Sequence, residues 1–149
     1  MRQHPQLLSK MSYFLQSDDE LVRARATGTV HNLSVDIVSM KLLRENDCIL
    51  PLIELLQDAS SEVVQAAAGA LQNLTRDSLT KQMLLDFQSL PLFSKLLFCG
   101  DIQVQVSAAG ILVNLLQDEL DEDGRRRLQQ VLTDGIVLGA VNSCVFESE

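Results

Sequence analysis

The sequence predicts an all-α fold, an α-solenoid of about three to three and a half helical repeats. Three observations predict it. The segments ELVRARATGTVHNLSVD (20–36), SEVVQAAAGALQNLTRD (61–77) and IQVQVSAAGILVNLLQD (102–118) align without gaps. Gly28, Gly69 and Gly110 are therefore spaced 41 and 41, as are Asn32, Asn73 and Asn114, and Asp36, Asp77 and Asp118. A second signature, LPLIELL (50–56), recurs as LPLFSKLL (90–97) with Pro51 and Pro91 only 40 apart, which a one-residue deletion near Gly100 would reconcile. The apolar residues of each unit recur at three- and four-residue steps, and there are no convincing strands.

In chain order, the predicted elements begin with a second helix over Gln6–Gln16 and a third helix within 20–36. The next unit holds a short first helix, SMKLLREND (39–47), then LPLIELL, then a third helix whose apolar face is Val63, Val64, Ala67, Ala70, Leu71 and Leu74. Asp58, Ser60 and Ser61 offer N-caps before it. Pro51 and Pro91 suit the first turn of a helix, where a missing N–H is harmless. SLTKQMLLDFQS (78–89) is the following first helix, and DEDGRRRLQQVLTDG (121–135) occupies that place in the last unit. A helix over Ile136–Val145 closes the chain. The whole reads as one domain, 1–149, made of a partial repeat 1–36, repeats 37–77 and 78–118, and a partial repeat 119–149.

AAGALQNLT (67–75), ATGTVHNLS (26–34) and AAGILVNLL (108–116) resemble the third helix of an armadillo repeat. LPLIELL resembles its second helix, the short helices its first, and the resemblance covers nearly the whole chain. It is closer to the catenin-like than to the importin-like branch, whose receptors carry Trp four residues before the Asn; here Gly28, Gly69 and Gly110 stand there. The resemblance implies a right-handed superhelical solenoid and a non-enzymatic protein-protein interaction scaffold that binds extended peptide segments in a concave groove lined by third helices. It places Asn32, Asn73 and Asn114 in that groove.

The residues themselves bear on this reading. Asn is a mediocre helix former, because its side chain competes for backbone hydrogen bonds. Its amide joins a donor to an acceptor and can grip peptide N–H and C=O groups without reading sequence. Helices stacked about 8–10 Å apart, against an extended rise of about 3.3 Å per residue, would let one Asn hold every second or third peptide residue. Positions one before and three and four after each Asn share its face. These are His31, Gln72 and Val113, then Val35, Arg76 and Gln117, then Asp36, Asp77 and Asp118. Peptide-binding candidates are Asn32, Asn73, Asn114, His31, Gln72, Arg76 and Gln117. The competing role for the Asn column is a hydrogen bond to a neighbouring repeat's backbone. For the Asp column it is capping of the next helix. A receptor for basic peptides of the nuclear-import type is an alternative, opposed by the missing Trp that would stack on a lysine stem.

Composition narrows the remaining classes. Twelve Lys and Arg against 20 Asp and Glu give a net charge of -8, which disfavours nucleic acid and anionic membranes as partners. Cys48, Cys99 and Cys144 lie too far apart for a zinc site and are odd in number, so a reducing compartment is expected, the cytoplasm first and the nucleus as the alternative. No apolar run reaches the roughly 18 residues of a membrane span. The two histidines, His4 and His31, stand far apart, and no phosphate-cradling glycine motif is present, so neither catalysis nor a metal or cofactor is expected. Asp121–Arg125, Glu122–Arg126 and Asp123–Arg127 read as i,i+4 pairs on a solvated helix. The apolar ends (Leu7, Leu8, Met11 and Phe14; Val137, Leu138, Val141 and Val145) suggest a piece of a longer array, a structural spacer, or self-association end to end.

Overall fold

A computed structural model describes residues 5–117 and the single positions 122, 123, 126, 130 and 133. Among them are eight helices and no strand: α1 (Pro5–Leu15), α2 (Glu20–Leu33), α3 (Ile37–Glu45), α4 (Ile49–Leu55), α5 (Ser61–Leu74), α6 (Ser78–Asp86), α7 (Leu90–Leu96) and α8 (Ile102–Gln117). Two compact units result, Met1–Met83 and Leu84–Glu149. The division falls inside α6, a first helix, rather than between repeats. The expected helix over 136–145 lies outside the described residues, as does most of the charge run, of which Glu122, Asp123 and Arg126 are helical and exposed.

In the first unit the two third helices, α2 and α5, make the most extensive contact. Each second helix packs on the third helix that follows it, α1 on α2 and α4 on α5, and α1 also touches α4. Leu15, Val30, Leu43, Leu52 and Leu71 are fully buried between these layers, each contributing roughly 1.5–3 kcal/mol by leaving water. The predicted face of α5 is buried at Val63, Ala67, Ala70, Leu71 and Leu74.

Short polar residues start the helices. Asp19 caps α2, accepting the amides of Leu21 at 2.8 Å and Val22 at 3.3 Å. Asp58 accepts the amide of Ser60, the residue before α5, at 2.9 Å. In the second unit Asp101 does the same for α8, at 2.9 Å from the Gln103 amide, and Phe93 and Ile111 form the core as α7 packs on α8.

First and second helices are joined by a left-handed residue, Asp47 (φ 56°) in one repeat and Gln88 (φ 52°) in the next. After each, an amide reaches back five residues, Cys48 to the Leu43 carbonyl at 3.1 Å and Ser89 to the Leu84 carbonyl at 3.4 Å. That closure satisfies the last carbonyls of the first helix.

The one-residue deletion near Gly100 is not present. α4 and α7 begin at 49 and 90 and end at 55 and 96, so the spacing of 41 runs through them unbroken. The proline has moved within the first turn, from the third residue of α4 to the second of α7. Leu52 and Phe93, 41 apart, fill the same fully buried place.

Two equivalent glycines have different surroundings. A Cβ built on Gly69 would lie 2.7 Å from Nε2 of His31 and 2.8 Å from its Cε1, because the imidazole on α2 packs across the α5 backbone. A Cβ built on Gly28 meets nothing within 4 Å. Gly28→Ala is therefore expected to raise stability by about 1 kcal/mol, the difference between the two residues inside a helix. Gly69→Ala should gain less, since its methyl displaces the imidazole, and should recover the full gain in a His31→Ala background. Urea denaturation of these variants checks the coupling; equal gains at both glycines in the wild-type background would show that the imidazole exerts no pressure there.

Candidate functional site

The site builds on α2 and α5, which lie side by side in the first unit. Asn32, near the end of α2, is exposed. Asn73, its counterpart on α5, is half-buried, and its Nδ2 donates to Oγ of Ser34 at 3.0 Å. Ser34 is fully buried and in turn donates to the His31 carbonyl at 2.6 Å. One amide of the ladder thus joins two repeats through a side chain, not through the backbone that the competing role anticipated.

The flanking candidates follow the same pattern. The His31 imidazole lies over Gly69 and fills the space that a side chain there would occupy. Arg76 is exposed at the end of α5; its Nε donates to the Asn73 carbonyl and its Nη2 to the Val35 carbonyl, both at 3.2 Å. The guanidinium therefore ties the last turn of α5 to the turn that follows α2, and a cation there also meets the α5 dipole favourably. Gln72 is half-buried beside Asn73. In the second unit Asn114 is half-buried on α8, and Gln117 ends that helix with its side chain outside the described set.

The aspartates act as caps. Asp36 accepts from the amide and hydroxyl of Ser39, both at 2.9 Å, and these bonds hold its carboxyl below the ordinary value of 3.8. Asp77 accepts from the Thr80 hydroxyl at 2.8 Å, from the Thr80 amide at 3.1 Å and from Nε of Arg44 at 3.0 Å. Partial burial pushes the Asp77 carboxyl up, but the Thr80 and Arg44 bonds together outweigh it and hold the carboxyl low. Asp118 lies outside the described residues. A second ion pair, Arg23 to Asp58 at 2.8 Å, joins α2 to the loop before α5.

Ser34 and Thr75 do not figure among the candidates read from sequence. Each follows an Asn-Leu pair, and each hydroxyl donates to the carbonyl three residues back, Thr75 to Gln72 at 2.7 Å. The repeated Asn-Leu-Ser and Asn-Leu-Thr triplets, 41 apart, were the available signal; Leu116 breaks it in the third copy.

Chemistry elsewhere is sparse. Burial, with the Asp47 charge second, pushes the Cys48 thiol up to about 11, away from nucleophilic use. Among the described residues no group of three or more His, Cys, Asp or Glu could hold a metal ion, and no helix is long and apolar enough to cross a membrane.

Comparison with known proteins supports the fold, an all-α repeat solenoid similar to those of armadillo-repeat proteins. Residues 41–76 match the armadillo/beta-catenin-like repeat, the span from α3 to the end of α5. The chain is similar to a designed armadillo repeat protein in complex with the peptide (KR)4 (TM-score 0.76, 24% identity, 86% of this chain and 54% of that one). It is similar also to computationally designed armadillo repeat proteins for modular peptide recognition (TM-score 0.76, 25% identity, 83% and 52%). An engineered protein gives a TM-score of 0.74 at 23% identity, over 86% of this chain and 30% of that one. The chain spans about half the length of the first two. No curated protein matches it in sequence.

Asp77→Ala removes a cap and strands Arg44, and is expected to cost about 1–2 kcal/mol at neutral pH. Because the folded carboxyl sits below its unfolded value, that contribution is fully present above the ordinary value of 3.8 and is lost as pH falls through the lower folded value. Urea midpoints at neutral pH and at about pH 3 should therefore converge between wild type and variant on acidification. A constant difference would mean that the carboxyl is not held low.

Proposed function

We propose that this chain is a non-enzymatic scaffold that binds an extended protein segment across the third helices. The observation that carries the reading is the exposed Asn32 carboxamide on α2, next to α5 with its Asn73. A side-chain amide at that place can donate to a peptide carbonyl and accept from a peptide N–H at once. Main-chain capture of this kind gives affinity with little sequence preference, leaving selection to neighbouring side chains.

The division of labour differs from a uniform ladder. Asn32 is the principal grip. Asn73 is braced by Ser34 and presents a fixed orientation, and Gln72, His31 and Arg76 flank the segment. Asn114 and Gln117 are the matching residues in the sequence of α8, in the second unit. Designed armadillo proteins bound to, or built for, peptides support this reading. A strongly basic ligand is disfavoured. Asp36 and Asp77, the carboxylates nearest the ladder in sequence, already serve Ser39, Thr80 and Arg44.

Linear peptides selected from a displayed library against the chain test this. Asn32→Ala should weaken a selected peptide about tenfold, the worth of roughly one net hydrogen bond pair, with thermal unfolding unchanged. Asn73→Ala should weaken the peptide and also lower the melting temperature, since it abandons Ser34. Peptides whose affinity ignores Asn32 would sink the mechanism, and a preference for (KR)4 over neutral peptides would promote the basic-ligand alternative.

A further inference from the structure

We propose that the face of α8 bearing Ile102, Val106 and Val113 docks onto the groove between α1 and α2 of a second copy of this chain, head to tail. The template is internal. α2 turns toward α5 the face that carries His31, and the His31 ring rests on Gly69. By the 41-residue register, Val113 of α8 is the counterpart of His31, and Gly28 of α2 is the counterpart of Gly69.

Both counterparts are open. Ile102, Val106 and Val113 are 70%, 58% and 50% exposed. The equivalent places on α5 are the polar Ser61, Gln65 and Gln72, so the apolar row is particular to α8 and is not a general property of the repeat. Such a row on one helix exceeds the scattered apolar residues normal for a surface. At the other end, Gly28 has nothing within 4 Å of its absent Cβ. Beside it lies a groove of about 380 Å³ lined by Leu7, Met11, Phe14, Leu21, Val22 and Thr29 among others. Val22 and Thr29 occupy the register of Val63 and Ala70, which α5 buries completely. The groove is thus the counterpart of the interface that α5 presents within the first unit, and the α8 face is an apolar version of the one that fills it. A helix of this chain's own repeat, seated with Val113 over Gly28, completes both.

The contact uses different surfaces on the two copies, so each copy added leaves one face of each kind free for another. Sedimentation equilibrium of the full chain from low to high micromolar concentration is the test. The weight-average mass should climb past twice the 16.5 kDa of one chain. It should climb further with added salt, because the contact is apolar while the net charge of -8 opposes it.

Gly28→Glu fills the groove side and Val113→Glu charges the α8 side, with Val106→Glu as a second charge on that face; circular dichroism melts verify folding. Each variant alone should stay at one chain mass. A one-to-one mixture of Gly28→Glu and Val113→Glu should form dimers and stop there, since each supplies the face the other lacks. A monomeric wild type, single variants that associate as wild type does, a mixture that stays monomeric, or dissociation by salt would each overturn the proposal.

Discussion

The close approach of α2 to α5 is the contact on which the first unit depends. It rests on a small residue: Gly69 is buried in the middle of α5 and lies against His31, so the facing helix can settle near its backbone. The approach is close enough that the His31 ring occupies the place of a Gly69 side chain. It also brings Asn73 within 3.0 Å of Ser34 and Arg76 within 3.2 Å of the Val35 carbonyl. A longer separation would leave the Ser34 hydroxyl, buried in this structure, without its Asn73 donor, at a cost of the order of 1–3 kcal/mol. Packing and polar satisfaction thus enforce the same distance.

Charge works with this arrangement rather than driving it. The net charge of -8 sets a repulsive background, yet the carboxylates placed at the repeat junctions are local and specific. Asp58 joins a cap to Arg23 of the preceding repeat, and Asp77, the last residue of its repeat, joins the cap of α6 to Arg44 on α3. Both pairs are largely shielded, with side-chain exposures of 19% and 8% for the first and 17% and 26% for the second. A carboxylate that accepts an amide, a hydroxyl and a guanidinium together fixes the angle at which one repeat follows another. An exposed pair such as Lys41–Glu45, at 3.7 Å, does little of that kind.

The repeat was legible because three third helices share one spacing and carry Gly, Asn and Asp at the same places. That pattern located the helices and the Asn ladder, and Asp36 and Asp77 fall at the helix starts where their short side chains can cap. Pro51 and Pro91 misled, because proline is acceptable at several positions of a first turn and so marks a helix start only to within a residue. The left-handed Asp47 and Gln88 gave no signal, since neither is the glycine that such a turn favours. The His31–Gly69 and Asn73–Ser34 contacts also lay beyond the sequence. They depend on how far two helices approach, and the repeat spacing fixes which residues face each other but not their separation.

That last limit bears on the ladder itself. Three identical asparagines at one spacing invite one shared role, yet Asn32 is exposed while Asn73 is half-buried and committed to Ser34. The difference follows from position, not from residue type. Asn73 faces back toward a repeat that ends in a serine it can reach, whereas the groove beside α2 is open. A carboxamide that has spent a proton on a neighbour is pre-organised but has less left to offer; an exposed one has more to offer and more entropy to lose on binding. A segment lying across both helices would meet a mobile grip followed by a rigid one. The repeated amide is therefore a common part in two settings, exposed on α2 and bonded on α5, and the residue that separates them is Ser34, outside the ladder altogether.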